Sequence, residues 1–152
     1  VELALSKGLT AENFIVEKSV IISDRAAFNQ RHLNNKSSCI SNGSIIASSV
    51  NIGDYFVGTN RITIGHHVNI GNYVTILPGA IISGYVNIED NCVIGAGAVV
   101  KDGVTIKSGS MIGAGSVVLK DVESDSITIG NPARATKIVD KSYVDIEQFE
   151  MC

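Results

Sequence analysis

A period of six residues runs through most of this chain. Cut in sixes from Val16, the sequence opens VEKSVI, ISDRAA, FNQRHL, NNKSSC, ISNGSI and closes on VLKDVE, 18 blocks in one register ending at Glu123. The first residue of the block is Val, Ile or Phe in 16 of the 18, the exceptions being Asn34 and Gly58. Six residues match neither the 3.6-residue turn of an α-helix nor the two-residue alternation of a plain strand. They fit a short strand and a corner, repeated, with one inward aliphatic anchor per side.

Three such blocks make one triangular coil of 18 residues, and successive coils stack at roughly 4.8 Å, the spacing of hydrogen-bonded strands. The register then predicts three aliphatic ladders: Ile64, Ile82, Val100 and Val118; Ile70, Ile88 and Ile106; Ile76, Ile94 and Ile112. The fifth residue of each block is small or branched, as at Val50, Val68, Ala80 and Ala98, and packs beside the anchors. Composition suits this core. Only 5% of residues are aromatic and none is Trp, so burial must come from Ile, Val and Ala. Each buried Ile or Val contributes roughly 1.5–3 kcal/mol. Glycine often follows the anchor (Gly53, Gly65, Gly71, Gly95, Gly113), where a corner with positive φ is expected. The fold class is therefore all-β, a parallel β-helix of about six coils over residues 16–123, with short terminal extensions.

Residues 1–15 form an N-terminal segment with a helix-like apolar pattern at Leu3, Leu5 and Leu9. After Glu123 the register breaks, with Ile127 and Ile129 out of phase. In residues 124–152, Gly130-Asn131-Pro132 turns the chain, 134–139 read as an exit strand and Lys141–Met151 as a short helix. Such an element covers an otherwise open solenoid end.

A net charge of -3 and the lack of a basic stripe interleaved with aromatics argue against nucleic-acid binding. Three cysteines, Cys39, Cys92 and Cys152, are an odd number without short spacing, which argues against a disulfide framework and a zinc site. Cys92 falls on a fifth position and reads as a small buried hydrophobe. With no apolar run of 18 residues and no signal peptide, a cytoplasmic protein without a membrane span is expected.

The Ile-Gly-x-x-(small or Val)-x blocks resemble the hexapeptide-repeat acyltransferases. The resemblance implies a left-handed coil and a homotrimer. A narrower similarity is to the sialic acid O-acetyltransferases and the N-acetyltransferases of nucleotide-linked amino sugars. It is carried by Ser19–Ser23 with Ala26, by Ile64-Gly65-His66-His67-Val68-Asn69-Ile70-Gly71, by Ile76-Leu77-Pro78-Gly79-Ala80 with Ser83-Gly84, and by Ile112–Val118 with Gly130-Asn131-Pro132-Ala133-Arg134. Two positions depart from the family pattern. His67 stands where an acidic neighbour of the catalytic His is usual, and Thr75 where a second His is common. Members also carry an N-terminal sugar-nucleotide-binding domain, of which residues 1–15 would be a remnant.

The resemblance implies an acetyl-CoA-dependent acetyltransferase acting on an amine or hydroxyl of a sugar or nucleotide-linked sugar, in bacterial surface glycan biosynthesis. Direct transfer needs a base, an oxyanion donor and a channel for CoA. His66, third in its block and so pointing outward, is the candidate base, although a surface His by itself reads as a solvated side chain. His67 is placed to orient it. Gly84, one coil on, offers a backbone N–H to the thioester oxygen and to the cofactor side of the site. Ala96 and Ala114 leave room for the pantetheine arm, Arg134 and Lys137 face CoA phosphates, and Thr75 is the candidate substrate contact. No metal is expected. Two other readings remain open on sequence: a non-catalytic binding or structural solenoid, and a γ-carbonic-anhydrase-like protein, for which His32, His66 and His67 are the whole imidazole supply.

Overall fold

Each block folds as two residues of strand, the second being the anchor, followed by a four-residue corner. The computed structural model describes the backbone of residues 14–16, 21–22, 27–28 and 38–138, and the side chains of residues 38–136. The first coil carries β1 (Phe14–Val16), β2 (Ile21–Ile22) and β3 (Ala27–Phe28), and the second β4 (Ser38–Ile40), β5 (Ile45–Ile46) and β6 (Asn51–Ile52). The third carries β7 (Val57–Gly58), β8 (Thr63–Ile64) and β9 (Asn69–Ile70), and the fourth β10 (Thr75–Ile76), β11 (Ile81–Ile82) and β12 (Asn87–Ile88). The fifth carries β13 (Val93–Ile94), β14 (Val99–Val100) and β15 (Thr105–Ile106). Then come β16 (Met111–Ile112), β17 (Val117–Val118), β18 (Ser126–Gly130) and β19 (Ala133–Ile138).

Strands stack on strands one coil away, giving three parallel sheets, one per face of a triangular prism. The first face holds β1, β4, β7, β10, β13, β16 and β18; the second β2, β5, β8, β11, β14 and β17; the third β3, β6, β9, β12 and β15. This is the left-handed parallel β-helix of the expected class. Five coils carry all three strands. The sixth is partial, closing its third face through a single bridge from Val122 to Ile106. The three anchor ladders pair in the expected register, and from Ile40 to Val118 every anchor is buried.

Three local features differ from the sequence expectation. First, the 18-residue register holds from Ser38 onward but not before it: Phe14 pairs with Ser38, 24 residues on, as do Ile21 with Ile45 and Ala27 with Asn51. Six extra residues fall between β3 and β4, where Asn34 breaks the anchor pattern. The run from 16 to 123 is therefore periodic in six but not free of an insertion. Phe14 and Ile15 also belong to β1, inside the segment assigned to residues 1–15.

Second, the glycines that follow anchors do not have positive φ. That conformation recurs instead at the fourth position of the block, at every sixth residue from Gly43 to Gly115, where six residues are glycine and seven are not. The post-anchor glycines are required by close approach: a Cβ on Gly95 would stand 2.5 Å from the Ala114 nitrogen, and one on Gly65 2.7 Å from that of Gly84. The second anchor exception, Gly58, is filled from the side, a Cβ there meeting Ile62 at 2.7 Å and Phe56 at 2.8 Å.

Third, Cys39 is disulfide-bonded, which the odd cysteine count argues against but does not exclude.

At the C-terminal end β18 joins β16 after 16 residues rather than 18, Ile112 facing Thr128. Ser126 and Thr128 are buried, while Ile127 and Ile129 point outward. Gly130-Asn131-Pro132, with a cis peptide before Pro132, turns the chain into β19, which runs antiparallel to β18 and forms the exit strand. The predicted helix at Lys141–Met151, the patterns at Leu3, Leu5 and Leu9, and His32 lie outside the described residues. Among the described residues no helix is long and apolar enough to cross a membrane.

Candidate active site

The anchors fix where each outward side chain stands. His66 and His67 follow β8 and so occupy the corner between the second and third faces; Gly84 and Tyr85 occupy the same corner one coil on. The corner is held by backbone bonds from each positive-φ residue to the coil before it: His67 N–H donates to Ser48 O at 3.1 Å and Tyr85 N–H to His66 O at 2.9 Å.

His66 and His67 are both exposed, and their Nδ1 atoms lie 3.1 Å apart. One ring must donate and the other accept across this pair, so the two tautomers are coupled. The rings are nearly perpendicular, at 84°. Adjacent side chains usually diverge, and here they meet because His67 has φ 56°, which swings its side chain back toward His66. Gly84 lies over the His66 ring. A Cβ at Gly84 would stand 2.7 Å from His66 Cε1 and 2.9 Å from Nε2, so the imidazole fits there only because residue 84 has no side chain. The Gly84 N–H has no acceptor among the described residues.

Tyr85 completes the cluster and was not singled out by sequence. Its ring stacks on His67 at 4.9 Å and 16° and meets His66 edge-on at 5.0 Å and 87°. The coil register was the signal that pointed to it, since Tyr85 follows His67 by 18 residues.

The other candidates stand elsewhere on the prism. Ala96 and Ala114 lie on the corner between the first and second faces, with Gly97 and Gly115, where an added Cβ would meet nothing within 4 Å. Within one chain the second face separates them from His66. Thr75 lies in β10 on the first face, half-buried. Arg134, in β19 at the C-terminal end, is exposed and donates from Nη1 to Ala133 O at 2.8 Å. Lys137 is in the same strand, its side chain outside the described set. A recess of about 440 Å³ opens on the third face and its corner with the first, away from the His66 corner, lined among others by Asn69, Asn87 and Glu89. Among the described residues no group of three His, Cys, Asp or Glu side chains is placed to hold a metal ion.

Repeat and prism together define a hexapeptide-repeat β-helix, and residues 85–120 match the model of the bacterial transferase hexapeptide (six repeats) family. Among solved structures the chain is similar to a mutant of perosamine N-acetyltransferase from Caulobacter crescentus, in complex with CoA and GDP-perosamine (21% identity, TM-score 0.75, 88% of this chain and 62% of that one). It is also similar to WeeI from Acinetobacter baumannii (29% identity, TM-score 0.65, 89% and 63%). A third is the acetyltransferase domain of PglB from Neisseria gonorrhoeae in complex with acetyl coenzyme A (24% identity, TM-score 0.59, 89% and 62%). The chain thus spans less than two thirds of the length of each of these three. No curated protein matches it.

Proposed function

We propose that this chain transfers an acetyl group from acetyl-CoA to an amine or hydroxyl of a sugar or nucleotide-linked sugar, with His66 as general base, in bacterial surface glycan biosynthesis. The observation that carries the reading is the His66 corner. An exposed imidazole is tied through Nδ1 to a second imidazole and seated under a glycine whose N–H is unengaged. Similarity to two solved acetyltransferases, one holding CoA and the other acetyl-CoA, supports the donor class.

In this role His66 carries its proton on Nδ1 and donates it to His67 Nδ1, which leaves Nε2 free as a base. Nε2 takes the proton from the acceptor amine or hydroxyl as that atom attacks the thioester carbon. The Gly84 N–H donates to the oxygen as negative charge grows on it. Collapse expels the CoA thiolate, which takes the proton back from His66. His67 accepts throughout, in the place a carboxylate holds in the resembling family. No metal takes part.

The two sets of candidates sit on different corners, so one chain does not form the whole groove. Three copies about a three-fold axis do form it when the corner between the first and third faces of each turns inward. The third face of one copy then packs on the first face of the next, and the His66 corner meets the neighbour's Ala96 and Ala114 corner. Thr75 of that neighbour then faces the acceptor and Arg134 the CoA phosphates. The active assembly in this reading is a cytoplasmic homotrimer.

The test is release of CoA thiol from acetyl-CoA across a panel of nucleotide-linked amino sugars and sialic acids, for wild type and His66→Ala. The expected result is turnover with one acceptor class, lowered by a factor of about 10² or more in the variant. Turnover that survives in the variant rejects His66 as base. No turnover with any acceptor, and no acetyl-CoA binding by calorimetry, favours a non-catalytic solenoid.

A further inference from the structure

We infer that Tyr85 is a positioning residue for the candidate base, acting through His67; this rests on the acetyltransferase reading of the His66 corner. Positions with positive φ stack directly above one another, and at this corner they are Ser49, His67, Tyr85 and Gly103. The same stacking on the corner between the third and first faces sets Tyr55 on Tyr73 at 4.6 Å and 12°. Two aromatic rings at successive fourth positions are therefore brought face to face by the backbone itself.

At the His66 corner this geometry is used on an imidazole. Tyr85 covers one face of His67, nearly parallel at 16°. The residue on the other side, Ser49, has no ring, and Gly103 beyond Tyr85 has no side chain. Tyr85 is thus the one aromatic support that His67 has within its stack. The edge of His66 also abuts Tyr85 at 5.0 Å. Rotation of His67 about its side-chain bonds would break both the stack and the 3.1 Å Nδ1 pair. An imidazole lacks the two equivalent oxygens of a carboxylate, and only one of its nitrogens is at hand, so its orientation must be set from outside. Tyr85 sets it. The phenol hydroxyl takes no part in these ring contacts, so phenylalanine would serve as well.

The experiment compares wild type, Tyr85→Phe and Tyr85→Ala in two readouts. The first is the imidazole nitrogen NMR signals of His66 and His67, which report tautomer without any acceptor present. The second is kcat and KM for acetyl-CoA. We expect wild type and Tyr85→Phe to hold one tautomer on each ring, and Tyr85→Ala to show averaged signals with an unchanged fold by circular dichroism. We expect kcat to fall about 3- to 10-fold in Tyr85→Ala, the scale of one aromatic contact, with KM for acetyl-CoA unchanged. Unchanged nitrogen signals in Tyr85→Ala, or equal losses in Tyr85→Phe and Tyr85→Ala, would overturn the inference. If no acceptor is turned over but the signals still average in Tyr85→Ala alone, the positioning role stands and the acetyltransferase reading fails.

Discussion

Cys92 shows how tightly the repeat constrains a single side chain. It occupies a fifth position with no exposed surface, and its thiol lies 3.3 Å from the Lys107 carbonyl oxygen. Burial pushes its pKa from 9.0 up to about 11, outweighing the backbone bonds that lower it. In the unfolded chain the thiol ionises near pH 9, so the folded state holds its proton longer. The associated stability is present below pH 9 and is lost between about pH 9 and pH 11. Two units correspond to about 2–3 kcal/mol. Thermal melts at pH 8 and pH 10.5 should show wild type losing more stability over that interval than Cys92→Ala. Equal losses would contradict the buried-thiol account. The fifth-position rule made this residue legible in sequence, and the third-position rule did the same for His66. Tyr85 was not singled out: the register put it one coil from His67, but its stacking depends on a backbone conformation that the period of six does not reveal.

At the scale of the coil, the corner glycines divide into two kinds. Gly95, after an anchor, is needed because the next coil's backbone lies against it, whereas Gly97, at a fourth position, faces open space and is favoured only by its φ. Gly95→Ala should therefore destabilise more than Gly97→Ala. At Gly95 a Cβ meets backbone at 2.5 Å, an overpacking cost of roughly 1–3 kcal/mol with nothing flexible to yield. At Gly97 the space is open and the cost is confined to the left-handed conformation, about 1–2 kcal/mol, which Tyr and Asn already bear at equivalent positions. Denaturant midpoints of the two variants give the order, and a larger loss at Gly97 would refute it. The ladders were readable from the anchors, and the exit strand from the Gly130-Asn131-Pro132 turn. The six extra residues of the first coil were not, since an insertion of one whole block leaves the period intact. Asn34, without an apolar side chain, was their one trace. The two-residue shortening before β18 was visible only as a loss of phase at Ile127 and Ile129.

For the whole molecule, the 18-residue register put Gly84 on the corner of His66 and Ala114 on that of Ala96, but it did not show how a groove could join the two corners. The fold separates them: His66, His67 and Gly84 stand on one corner and Ala96 and Ala114 on the next, with the second face between. This is why the account requires more than one copy. The most direct test of that central claim is acetyl transfer by mixed assemblies of two variants. Each should be inactive alone: His66→Ala for want of a base, and Ala114→Trp because an exposed corner residue is replaced by one that fills the groove. Co-expressed in equal amounts, they should recover about a quarter of wild-type activity. A groove works when one copy supplies His66 and its neighbour supplies Ala114, each at even odds. No activity above that of the separate variants would contradict the account and place the whole site within one chain.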